Sequence, residues 1–154
     1  MVTLLVRCLL VALFLPFSAL DKLINYRAAL EQATQVTPQR RLAAALIVGG
    51  LLIEVGGSLA ILSGIADRLA ALVLASYCIV TALLWKQFWR AADFRLRGPS
   101  RGRDTFWDFL KNLAVAGGFL LITFGPNAQS ARRFWRDPLA STHPYTVASA
   151  EEER

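Results

Sequence analysis

The chain is short of charge. Only 18% of its 154 residues are Asp, Glu, Lys or Arg, while 55% are hydrophobic. An ordinary soluble domain of this length carries more charge and less apolar surface. Other scarcities exclude chemistry. There are two cysteines, Cys8 and Cys78, and no CxxC, so a dithiol centre is not expected. The single histidine, His143, lies in the segment STHPY and takes no catalytic role. No cluster has metal-ligand spacing. No glycine-rich nucleotide loop follows a strand, and no nucleophile stands beside a base. These gaps make an independent enzyme the least favoured class.

What charge there is lies between long apolar runs, the mark of an integral membrane protein. The runs are Val2 to Leu20, Leu42 to Leu62, Leu69 to Trp85 and Trp107 to Phe124. A helix crosses a bilayer in roughly 17–25 residues. An all-α bundle of four transmembrane helices is therefore expected, over residues 1–126. A disordered polar tail is expected over 127–154. Run one lacks an early basic residue and a small-residue cleavage site, so it reads as a retained span rather than a signal peptide. The segment LINYRAALEQATQ, after run one, reads as a short interfacial helix.

The net charge of +6 follows the connections, not a nucleic-acid platform, so no nucleic-acid partner is expected. Lys22, Arg27, Arg40 and Arg41 lie between runs one and two. Lys86, Arg90, Arg95, Arg97, Arg101 and Arg103 lie between runs three and four. Arg68, Arg132, Arg133 and Arg136 lie on the other side. This asymmetry places both long connections in the cytoplasm and both termini in the periplasm, in a bacterial inner membrane. Trp85, Trp89, Trp107 and Trp135 mark span ends. The basic connection RLRGPSRGRD suits anionic lipid or an acidic partner.

A few ionisable residues lie inside the runs, and intramembrane charges point to function by default. Gly50, Glu54, Gly57 and Gly64 share one stripe of run two, so Glu54 faces the bundle across a close-packed seam. Arg7 lies roughly 9 Å below the outer edge of run one, and Glu54 roughly 12 Å below that of run two. Matched depth predicts an Arg7–Glu54 pair. Lys111 shares a stripe with Ala114, Gly118 and Gly125 and is the third member of this intramembrane charge set. Lys22 and Lys86 join it as a basic mouth at one end, with Asp21 as their counterion. Such a set either fixes helix register or surrounds a ligand or proton path, and both readings stay open.

These features together resemble the DoxX family of small four-span membrane proteins, over residues 3–130. The resemblance rests on Arg7 and Lys22 in RCLLVALFLPFSALDKL. It rests also on Glu54, Gly56, Gly57, Gly64 and Arg68 in EVGGSLAILSGIADRLAAL. ALLWKQFW and FLKNLAVAGGFLLITFGPNAQS complete it, the latter through Lys111, Asn112, Gly117, Gly118 and Gly125. The chain departs from the family at Lys86, where relatives carry a histidine, and in a longer, more basic connection before the last span. The resemblance implies an accessory or anchoring subunit of a membrane redox system, with quinone as the expected cofactor class. Its partners would be membrane lipid and a soluble or membrane oxidoreductase subunit. The alternatives are a small proton- or ion-coupled transporter using Glu54, or a purely structural subunit of a membrane complex.

Overall fold

The computed structural model describes residues 2–145 and, among them, is all-helical. The helices are α1 (Val2–Ala12), α2 (Ala19–Ile24), α3 (Tyr26–Thr34), α4 (Arg40–Ser63), α5 (Asp67–Trp85), α6 (Arg101–Phe124) and α7 (Ala128–Arg136). Four stretches are long and apolar enough to cross a membrane: Val2–Ile24, Arg40–Ser63, Asp67–Arg90 and Arg101–Phe124. They coincide with the four runs, each extended into its polar flank.

The first span is not one regular helix. Pro16 cannot donate a backbone hydrogen bond, and between α1 and α2 the chain makes a wide turn over Leu13–Ser18 with Leu15 extended (φ −122°, ψ 105°). The Leu15–Pro16 peptide is cis. Asn25 then breaks the chain again, and α3 folds back so that Leu30 and Ala33 pack on Ala43 and Ile47 of α4. The interfacial helix expected after run one is therefore a helix docked on the second span.

The core gathers Val11 and Phe14 from the first span, Ile61 from α4, Leu74 and Cys78 from α5, and Ala116 and Phe119 from α6. Between lipid-bathed helices there is little hydrophobic driving force, so close backbone approach and interhelical polar bonds hold the bundle. The seam of α4 shows this. A Cβ on Gly57 would lie 2.9 Å from Leu74 Cγ, and one on Gly50 would lie 3.0 Å from the Tyr77 hydroxyl. Gly118 does the same on α6 against Leu10 of α1. Gly64 has a different role from the seam position expected of it. It ends α4 in the left-handed region (φ 76°), where glycine is favoured.

The expected disordered tail is corrected over the described residues. Asn127 caps α7 by accepting from the Ser130 amide at 2.9 Å, and the chain then runs back over the end of the bundle. There Pro144 packs on Gly64, and the Tyr145 hydroxyl donates to the Leu62 carbonyl. The remainder of that tail, residues 146–154, lies outside the described residues. Cys8 is exposed and Cys78 buried, and both thiols are free.

The glycine seam makes a sharp test. Gly57→Leu forces Leu74 aside and should cost about 1–3 kcal/mol in equilibrium unfolding in mixed micelles. Gly56→Leu, with nothing within 4 Å of its Cβ position, should be neutral or stabilising, because the helix loses a glycine.

Candidate functional site

Two buried polar centres sit at different depths in the bundle. The deeper one is built on Glu54, 1% exposed, on the inward stripe of α4 with Gly50 and Ser58. Its Oε1 receives Lys22 Nζ at 2.5 Å and the Ser18 hydroxyl at 3.0 Å, and Lys22 also donates to Ser18 at 2.7 Å. Lys22 Nζ lies 6.0 Å from the centre of the Tyr77 ring, at the outer limit of a cation–π contact. Glu54 Oε2 and the Ser58 hydroxyl are buried with no hydrogen-bond partner among the described residues.

The second centre lies about 10 Å further along α4, seven residues on at Ile61. Arg7, 4% exposed, donates Nη1 to the Ile61 carbonyl at 2.5 Å and Nη2 to Asp67 Oδ2 at 2.7 Å. Asp67 is fully buried at the start of α5. Thr142 completes the arrangement from the returning chain. Its amide donates to Asp67 Oδ1 at 3.0 Å, and its hydroxyl lies 2.5 Å from Asp67 Oδ2 and 2.6 Å from Arg7 Nη2. Both ions thus have hydrogen bonds besides each other, the condition under which a buried pair is tolerated.

The expected Arg7–Glu54 pair is therefore corrected: each takes another partner. The reason is side-chain direction. On a helix every Cα–Cβ bond leans towards the N-terminus. The first and second spans run antiparallel, so Arg7 leans towards the end where α4 finishes and Glu54 leans towards the end where it starts. Equal backbone depth becomes a separation of several ångströms at the charged atoms. Asp67, the true partner of Arg7, was missed because it lies at the edge of the third run and reads as loop. The available signal was an acid just past the Gly64 turn, at the same end as Arg7.

Lys111 is also corrected. The inward face of α6 is Ala116, Phe119 and Thr123, and the seam at Gly118 does not continue two turns down. The Lys111 side chain is 74% exposed and meets Asp108 at 3.3 Å. Lys86 meets the same carboxylate at 3.1 Å. So the basic mouth divides: Lys22 turns inward to Glu54, while Lys86 and Lys111 share Asp108 near the start of α6. Asp21, expected to neutralise them, instead accepts from the Asn25 side-chain amide at 2.7 Å. Exposed pairs of the Asp108 kind contribute little to stability.

Between Lys86 and α6 the basic connection is anchored by aromatic rings. Phe88 stacks edge-on or tilted against Trp89, Phe94, Phe106 and Phe109, with ring centres 5.0–5.5 Å apart. Asp93 and Ser100 cap α6 by accepting from the amides of Arg101, Gly102 and Arg103. The arginines this frame holds out, Arg90, Arg95, Arg97 and Arg101, are exposed, and none joins an ion pair among the described residues.

A quinone needs a slot open to lipid with a hydrogen-bond donor at its carbonyl. The groove between α4 and α5, about 250 Å³, is lined by Ile53, Gly56, Gly57, Ala60 and other apolar residues. It carries no polar side chain, and Glu54 faces away from it into the bundle. The groove does not fit a quinone headgroup.

Four membrane-length spans joined by two internal ion pairs define a small polytopic membrane protein. The chain belongs to the DoxX family, whose pattern it matches over residues 2–87. That match takes in Arg7, Lys22, Glu54 and Asp67 and ends before α6. The chain is also 38% identical, over 84 residues, to the inner membrane protein YqjF of Escherichia coli strain K12. The aligned segment is 54% of this chain and 56% of that relative, so the chain spans about half the length of the relative it matches. No solved structure matches.

Thr142 ties the returning chain to the Arg7–Asp67 pair. Thr142→Val should cost about 1–3 kcal/mol in thermal or denaturant unfolding in detergent, since it leaves buried polar atoms without a partner. Leu139→Ala, at an exposed side chain three residues away, should change stability by less than about 0.5 kcal/mol.

Proposed function

We propose that this chain is an accessory, anchoring subunit of a quinone-linked redox system in the bacterial inner membrane, and that it holds its partner through the basic connection between α5 and α6. One observation carries this reading. Arg7 and Asp67, and Lys22 and Glu54, pair within the bundle, whereas Arg90, Arg95, Arg97 and Arg101 stand exposed on an aromatic frame with no ion pair among the described residues. Such an array suits an acidic protein face. The inner-membrane name of the relative supports the location, and the excess of Lys and Arg in the two long connections supports a cytoplasmic face for this array with both termini periplasmic. Quinone, in this reading, is bound by the partner. Purification from native membranes should recover an oxidoreductase subunit together with the chain. Charge reversal at Arg95, Arg97 and Arg101 should release it, with the bundle still folded. Recovery of the chain alone under mild extraction counts against the proposal.

A second reading rests on a separate observation, the unpartnered Glu54 Oε2 and Ser58 hydroxyl one turn apart on α4. A small transporter would use this carboxylate as its proton or ion site. It predicts that Glu54→Gln abolishes ion flux into vesicles without unfolding the protein. Absence of any flux from wild-type vesicles removes it and leaves the pairs with a structural role.

A further inference from the structure

Arg68 is a buried cation that no carboxylate among the described residues answers. It lies in the first turn of α5 and is only 7% exposed. One Nη group donates to the Ser130 carbonyl at 3.1 Å. Its Nε is buried and has no partner among the described residues. Among the described residues no carboxylate lies within ion-pair distance of it, since the neighbouring Asp67 is taken by Arg7. Among the described residues, Arg7, Arg68 and Asp67 together leave one positive charge uncompensated. A buried charge in that state is costly, which is a physical reason for an anion to be there.

Space for it exists. Arg68 and Arg7 line a pocket of about 370 Å³ at this end of the bundle, with Thr3, Ser130 and Thr142 adding polar groups. Two helices begin beside it, α5 at Asp67 and α7 at Ala128, and helix starts favour negative charge. The pocket is at headgroup depth, because α4 ends at Ser63, α5 starts at Asp67 and α6 ends at Phe124. Arg132, Arg133 and Arg136 of α7 are exposed at the same end, where cations draw anionic lipid.

We propose that this pocket is an oxyanion site that takes the phosphodiester of an anionic lipid headgroup, with Arg68 as its principal donor. It is independent of the basic connection between α5 and α6, which lies at the other end of the bundle.

The test uses the full chain in neutral detergent, titrated with short-chain phosphatidylglycerol, with phosphatidylcholine and with inorganic phosphate. Native mass spectrometry counts bound molecules and thermal unfolding reports stabilisation. One phosphatidylglycerol should bind per chain and raise the unfolding temperature, with phosphatidylcholine weaker. Arg68→Gln should weaken that binding about tenfold or more, whereas Lys86→Gln, at the other end, should not. Without anion, Arg68→Gln should unfold no more easily than wild type, because it removes the uncompensated charge; a merely structural arginine would give the opposite. If Arg68→Gln does not fold, Arg68→Lys keeps the charge and should weaken binding measurably but less. Competition by inorganic phosphate would support the oxyanion site and assign it to the free ion as well; indifference to phosphate would assign it to the lipid. The proposal is overturned if phosphatidylglycerol and phosphate bind no better than phosphatidylcholine. It is equally overturned if a folded Arg68 variant binds as wild type does.

Discussion

A guanidinium cannot be neutralised by losing its proton, so a chain that carries Arg7 inside a membrane bundle must bring a carboxylate and further acceptors to it. That requirement shapes one whole end of the molecule. Asp67 must begin α5 within reach, the Ile61 carbonyl must turn towards α1, and Thr142 must return after α6 and α7 to complete the hydrogen bonds. The Gly64 turn that joins α4 to α5 makes the first two possible, and Pro144 packs over that turn. A segment that looks dispensable in composition is thereby fastened to the only arginine of the first span.

The second pair answers a different demand at a different depth. Glu54 is fixed to the bundle interior by a stripe whose neighbours are glycine and serine, and Lys22 reaches it from beyond the Pro16 turn. The irregular turn matters here: it brings Ser18 and Lys22 together onto one oxygen of the carboxylate. A buried ion pair of this kind is weak evidence of net stability, because desolvation offsets much of the attraction. Its clearer consequence is register, since sliding α4 by one turn against the first span would strand both charges.

Much of this was legible in the sequence. The spans follow from four apolar runs, and the inward placement of Glu54 follows from its spacing to Gly50 and Gly57. The seam glycines Gly50, Gly57 and Gly118 do meet neighbouring helices. Backbone depth alone does not fix where a charged tip lies. Residues on antiparallel helices lean in opposite directions, so Arg7 and Glu54 part at their tips. Lys111 misled for a related reason: small residues on its stripe mark a seam only where a neighbour is close, and the first span meets α6 at Gly118, not below it. The order of residues 128–145 was hidden because it comes from tertiary contacts to Asp67, Leu62 and Gly64, not from local composition.

Two independent ion pairs lie within the bundle, Arg7 with Asp67 and Lys22 with Glu54. A set of double-mutant cycles among Arg7, Asp67, Lys22 and Glu54, measured by unfolding in mixed micelles, tests this pairing most directly. Arg7 with Asp67 and Lys22 with Glu54 should each show coupling of about 1–3 kcal/mol, while Arg7 with Glu54 should couple by less than about 0.5 kcal/mol. Strong coupling between Arg7 and Glu54, with none between Arg7 and Asp67, would contradict it.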